Sequence, residues 1–307
     1  MALSIHTNYS ALTTNTALNK SNNALATNQQ RLGTGLRINS AADDAAGLQI
    51  ATRLNAQSRG MSVAMRNTGD AISLLQTAEG AFSEMTDIVQ RMKDLATQAA
   101  NGTNSQADRD ALQGEYDELG KELGNIINNT SYAGEALFRA ESEADAGDAG
   151  KFTAGVSFQI GASTAETMSL DASAKLTAVT GAISSATYAD VIASAKADYD
   201  APDDPVAGSE IATAAGANTA IDSLAGLLDK IGDVRAQFGA NINRLNHTSN
   251  NLANMKDNTD MAKGRIMDAD FAVESANMSK NSMLMQSGIS MLKQAGQMPG
   301  MVMGLLG

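Results

Sequence analysis

The chain has 307 residues, three prolines, no cysteine, no tryptophan, 4% aromatic side chains and a formal net charge of -12. So little bulk disfavours a thick globular core, and the missing thiols exclude disulfides, thiolate metal sites and thiol catalysis. The acidic balance argues against a nucleic-acid or anionic-membrane partner, and neither an apolar run of about 18 residues nor a basic, then apolar, leader occurs, so no membrane span and no cleaved signal peptide are predicted.

Near the N-terminus Ala11, Leu18, Leu25 and Leu32 recur seven apart, the spacing of a coiled-coil seam. Ser40 with Asp43 reads as a capping box opening a second helix. Along that helix Leu54, Met61 and Thr68 lead into Leu75, Ala78, Phe82, Met85, Val89, Met92, Ala96 and Ala99, which alternate steps of three and four. Asn101-Gly102 is a turn pair that stops it, and Ser105 with Asp108 is a second capping box. The next seam is Leu112, Tyr116, Leu119, Leu123 and Ile126.

The period then changes from heptad to two. Phe152, Ala154, Val156, Phe158 and Ile160 alternate with polar or small residues, Gly161 opens a short loop, and Met168 and Leu170 resume the alternation. Residues 151–171 are therefore predicted to form a β-hairpin. Residues 172–217, rich in Ala, Ser, Thr and Asp and carrying Pro202 and Pro205, read as a small variable surface insert. Beyond it Leu224, Ile231, Phe238, Leu245, Leu252, Thr259, Ile266 and Val273 fall seven apart. A second register follows in Phe271, Met278, Met285 and Leu292, ending before Pro299.

These patterns predict a mainly α protein, an elongated, folded-back coiled coil and helical bundle with a small β-hairpin region. The expected divisions are an inner coiled-coil domain from arms 1–40 and 267–307, a helical bundle from 41–171 and 218–266, and the insert at 172–217. If residues 219–298 formed one helix it would be about 120 Å long at about 1.5 Å per residue. Each arm offers a thin apolar seam that returns less burial than its backbone ordering costs, so each end needs partners: the other end and neighbouring copies. Open-ended pairing of two different faces gives a helical filament.

Catalysis and cofactor binding find little support. Adjacent Asp43 and Asp44 could serve as acid and base, but capping explains them better. Gly33-Thr34-Gly35 lacks the rest of a phosphate-binding loop. Asp268 and Asp270 resemble the first two ligands of a calcium loop, yet Phe271, Ala272 and Val273 replace what should follow. His6 and His247 stand alone without ligand spacing. Met278, Met285 and Met291 read as adaptable packing more readily than as a promiscuous groove. No enzyme activity, metal or cofactor is expected.

QRLGTGLRINSAADDAAGLQIATRL (residues 30–54) closely resembles the signature of bacterial flagellins. Residues 72–105, FQIGA at 158–162, residues 266–295 and the terminal MVMGLLG resemble flagellin segments in the same order. The resemblance implies a subunit that self-polymerises into the filament used as a motility propeller, lying outside the cell after export through the flagellar type III apparatus. It further implies an export chaperone at the C-terminal arm, hook-associated and cap proteins as neighbours, and a host Toll-like flagellin receptor engaging the positions matched by Arg91, Leu95 and Glu115. The assembly seams expected on this reading are Leu18, Leu25, Leu32, Phe271, Met278, Met285 and Leu292. A hook–filament junction protein of the same superfamily is the alternative; its related motif tends toward Asp-Asp-Pro, whereas Asp43-Asp44 is followed here by Ala45-Ala46-Gly47.

Overall fold

A computed structural model describes residues 8–139, 149–183 and 210–306, with side chains described as far as residue 297. Its described residues contain six α-helices and two two-stranded antiparallel ribbons: α1 (Tyr9–Thr34), α2 (Ala45–Ala99), α3 (Gln106–Asn129), β1 (Ser131–Tyr132), β2 (Glu135–Ala136), β3 (Val156–Gln159), β4 (Thr167–Leu170), α4 (Ser173–Ile183), α5 (Ala214–Met267) and α6 (Phe271–Leu306). The chain divides into two compact units, one from residues 1–59 and 255–307, the other from residues 60–254. These boundaries fall inside α2 and α5, whereas the sequence suggested divisions after residues 40 and 266.

The central unit is organised by the stripe read from the heptads. Leu75, Ala78, Phe82, Met85, Val89, Met92, Ala96 and Ala99 are all buried on α2, and Leu224, Ile231, Phe238 and Leu245 are buried on α5. On α3 the buried face is rotated slightly from the predicted seam. Gln113, Tyr116, Gly120, Leu123 and Ile127 are inside, while Leu112, Leu119 and Ile126 pack at its margin. The box of Ser105 and Asp108 is formed as expected, with both reciprocal hydrogen bonds present.

The predicted hairpin over 151–171 is shorter than the alternation implies. Lys151–Thr153 forms a 3-10 turn, and only Val156–Gln159 pairs with Thr167–Leu170. Phe152 leaves the alternation because it is wholly buried against the phenylalanines of the core, which holds its backbone in a turn. The loop lies against α2: a Cβ at Gly60 would stand 2.7 Å from the Ala162 Cβ, so only glycine permits this approach. Asn67 Nδ2 fixes the strand end by donating to the Gln159 carbonyl at 3.3 Å.

The insert is not without regular structure. Its first residues form α4, whose Leu176, Val179 and Ile183 join the core, and its last residues begin α5. Pro202 and Pro205 lie outside the described residues. Glu210 and Ile211 at its far end are clasped by Gln113, whose amide donates to Glu210 Oε2 at 2.8 Å and accepts from the Ile211 N–H at 2.8 Å.

In the terminal unit α1 runs antiparallel to α6. Gly35, in the left-handed conformation at φ 71°, ends α1 by donating its N–H to the Arg31 carbonyl. The chain then turns beside the α5–α6 junction, where Arg37 N donates to Met267 O and Ala269 N donates to Gly35 O. That junction breaks the single long helix expected over 219–298 into helices of 54 and 36 residues. The break also ends the heptad of α5: Thr259 and Ile266 are half-buried, and Val273, beyond it, is exposed.

Candidate assembly interface

Two chain ends with different sequences make one seam. Along α1 the half-buried positions Ala11, Thr14, Leu18, Ser21, Leu25 and Leu32, with buried Asn28, alternate in steps of three and four. Along α6 Glu274, Met278, Asn281, Met285, Gly288, Leu292 and Ala295 do the same. Such stepping keeps one face of each helix toward its partner. The antiparallel register is pinned at both ends: Asn8 Nδ2 donates to the Ala295 carbonyl at 2.6 Å, and Arg31 Nη1 donates to Glu274 Oε1 at 3.1 Å. Midway, a Cβ at Gly288 would stand 3.2 Å from the Leu18 side chain.

Six of the seven assembly-seam residues named from the sequence lie on this seam, each only half-buried. Phe271 does not. It begins α6 and is 69% exposed, because α1 has already ended at Thr34 and offers nothing to cover it. The sequence reasoning missed the polar members. Asn28 and Glu274 are both 7% exposed, and among the described residues Asn28 Nδ2, Arg31 Nε and Glu274 Oε2 are buried without a hydrogen-bond partner. Buried polar atoms left unpaired weaken a helix pair while specifying its register. The heptad offset of Asn28 from Ser21 and of Glu274 from Asn281 was the available signal.

Beside the seam apolar side chains stand open. Tyr9 and Leu12 on α1, and Val273, Met283, Leu284, Ile289 and Met291 on α6, are exposed. Taken together, the paired ends are half covered by each other and carry further apolar surface free to be covered.

The acidic pairs are structural. Asp43 accepts from the N–H groups of Ser40 and Asn39, and these bonds hold its carboxyl below the usual carboxylate range. They form a turn ahead of α2, so Ser40–Asp43 is not the helix cap; Asp44 is, accepting from Gly47 N at 2.8 Å. Asp270 likewise caps α6 by accepting from Ala272 N and Val273 N. His247 is exposed on α5, and His6 lies outside the described residues. Met278 and Met285 pack in the seam, whereas Met291 does not.

One polar clasp ties α2 to α5 within the terminal unit. Asp260 accepts from Ser58 Oγ at 2.8 Å and pairs with Lys256 at 2.9 Å and Lys263 at 3.3 Å. Its carboxyl is drawn down to about 2, chiefly by the Lys256 hydrogen bond and then by Ser58. The folded state therefore holds this proton less tightly than the unfolded chain. The clasp's contribution is complete above about pH 4 and is lost as the pH falls through about 2. A carboxyl-carbon NMR titration of Asp260 checks this; a midpoint near the ordinary aspartate value would contradict it.

In the central unit Arg91 and Glu115 join α2 to α3 across the surface, with Arg91 Nε and Nη2 both donating to Glu115 Oε1 at 2.8 and 2.6 Å. Leu95, expected beside them on a receptor-facing platform, is instead 1% exposed in the core. It stands three residues after Met92 and next to Ala96, at the margin of the buried stripe, which turns it inward.

No helix among the described residues is long and apolar enough to cross a membrane. Comparison with known proteins gives two family matches: the bacterial flagellin N-terminal helical region over residues 5–143, and the bacterial flagellin C-terminal helical region over residues 220–306. Polar flagellin C of Vibrio parahaemolyticus is 36% identical, and Flagellin A of Vibrio anguillarum 35% identical, each with 100% of both chains covered. A crystal structure of Bacillus cereus flagellin is 32% identical with a TM-score of 0.46, over 61% of this chain and 88% of that one.

Proposed function

The chain belongs to the bacterial flagellin family, and from that premise we propose that its paired chain ends make the contacts by which copies polymerise. It is a structural subunit of the flagellar filament, which lies outside the cell. The carrying observation is the α1–α6 pair, half covered, with exposed apolar flanks and buried polar atoms that lack partners within one subunit. Neighbouring copies supply the missing surface over the exposed apolar side chains. Because the flanks on α1 and α6 differ, the contact is heterologous and propagates without closing. Electron microscopy of purified subunit seeded with filament fragments tests this. Long tubular filaments are expected, and a stubby junction or no growth would count against it.

Before export the subunit is held by a flagellar export chaperone. Exposed Met283, Leu284, Ile289 and Met291 on the C-terminal arm offer such a chaperone an apolar surface and would otherwise invite premature pairing. Removing residues 278–307 is expected to abolish chaperone capture in a pull-down; undiminished capture would refute the site. Outside the cell the filament ends meet hook-associated and cap proteins.

A host Toll-like flagellin receptor engages Arg91 and Glu115, which stand exposed and fixed on a rigid helix pair, a setting suited to an arginine hot spot. Arg91→Ala with Glu115→Ala is expected to lower reporter-cell signalling by at least about tenfold, the loss that follows from about 1.4 kcal/mol at a hot spot. Unchanged signalling would remove this partner.

A further inference from the structure

Ten of the sixteen methionines lie after residue 254. Those whose side chains the structure describes are more exposed than most of those in the central unit. There Met61, Met85, Met92 and Met168 are at most 3% exposed, whereas on α6 Met283 is 65% and Met291 60% exposed. With no cysteine and no tryptophan in the chain, methionine sulfur is its most readily oxidised side-chain atom. At about 100° per residue, Val273, Met283, Leu284 and Met291 share an arc of roughly 100° on α6, on the side turned away from the seam formed by Met278, Met285 and Leu292.

We propose that Met283 and Met291 are an oxidant-sensitive modification site whose oxidation by hydroperoxides keeps the unassembled subunit out of the filament. In each reaction the thioether sulfur attacks one peroxide oxygen and the O–O bond breaks. The sulfur loses two electrons and gains an S=O oxygen, and the peroxide is reduced, hydrogen peroxide to water and an organic hydroperoxide to its alcohol. A flexible apolar side chain thereby becomes polar. On an exposed helix this costs the free subunit little. On a face that neighbouring copies must cover, it places a desolvated polar group in the contact. Reduction by a dithiol through a methionine sulfoxide reductase releases water and restores the thioether. The inference rests on the polymerisation reading, and it makes assembled subunits resistant and unassembled ones vulnerable.

The test treats full-length subunit with hydrogen peroxide, maps sulfoxides by peptide mass spectrometry and then measures elongation from filament seeds. Met283 and Met291 are expected to oxidise at least about tenfold faster than Met85 and Met92, and elongation to fall by about tenfold or more. The variant Met283→Leu with Met291→Leu keeps the face apolar and is expected to elongate after peroxide as it does before. Sulfoxide reductase with a dithiol is expected to restore the treated parent, an arm that needs no variant to assemble. The inference is overturned if the parent elongates normally with both sulfoxides in place, if the leucine variant is inhibited as strongly, or if reduction restores nothing. Failure of untreated subunit to elongate would instead overturn the polymerisation reading; the mapping, which needs no filament, would still decide whether these two sulfurs are the reactive ones.

Discussion

Removing residues 1–36 or 268–307 is expected to abolish seeded filament growth while leaving a soluble subunit whose central unit melts almost as before. The two units differ in how they are held. The central unit buries Leu75, Phe82, Val89, Phe238 and Leu245 almost completely, with an aromatic and aliphatic core of its own. Among the described side chains the α1–α6 pair has no fully buried leucine or methionine; its seam alternates leucines and methionines with Thr14, Ser21, Asn28, Asn281 and Gly288, all of which return little on burial. Helix pairs of that quality are marginal alone and gain most from surface added by neighbours. In the free subunit the arms are therefore expected to exchange their amides quickly, and in the filament slowly. Leu25→Asp or Leu292→Asp, each placing a charge at a half-buried seam position, should block elongation and change the central unit's stability by no more than about 0.5 kcal/mol. Hydrogen exchange as slow over residues 8–35 and 271–295 as over 75–95 in the free subunit would show that the arms are ordered before assembly. Filaments growing from either truncated chain would show that other surfaces make the contacts.

Much of this was legible because long helices report their buried face through spacing alone. From Leu75 to Ala99 every residue of the predicted stripe is buried, and Leu18, Leu25, Leu32, Met278, Met285 and Leu292 all fall on the terminal seam. Spacing failed where the third dimension intervened. Phe271 keeps the heptad of α6, but the partner helix has ended, which no period along one helix can reveal. Leu95 was placed on the surface by its resemblance to a receptor-binding position; it is not one of the stripe's positions, yet it stands next to Ala96 at the stripe's margin and is buried. The hairpin began late because burial of Phe152 overrode the alternation. At the start of α2 both Asp43 and Asp44 could cap, and only the backbone geometry selects Asp44. The polar seam residues Asn28 and Glu274 were invisible to a search for apolar repeats, although their spacing matches it.

The same distinction between stability and assembly separates two phenylalanines. The chain has six phenylalanines and no tryptophan, and four of the six meet in one cluster. Phe82 packs edge-on against Phe138 at 4.8 Å and against Phe238 at 5.8 Å, and Phe152 touches Phe238 at 5.1 Å. These four bring together α2, the segment after β2, the 3-10 turn and α5, so one cluster ties sequence-distant segments into one core. Phe82→Ala is accordingly expected to cost about 3–5 kcal/mol, a large share of the about 5–15 kcal/mol available to a folded protein. Urea unfolding of the central unit should show a lower midpoint at unchanged slope. A loss below about 1 kcal/mol would mean that the cluster is loosely packed. Phe271→Ala is the counterpart. That ring is 69% exposed and touches no core, so its removal should leave unfolding within about 0.5 kcal/mol of the parent. If neighbouring copies cover it in the filament, seeded elongation should nevertheless slow. Parallel loss of stability and elongation in Phe271→Ala would erase the distinction, whereas lost elongation at intact stability would place this ring in the subunit contact.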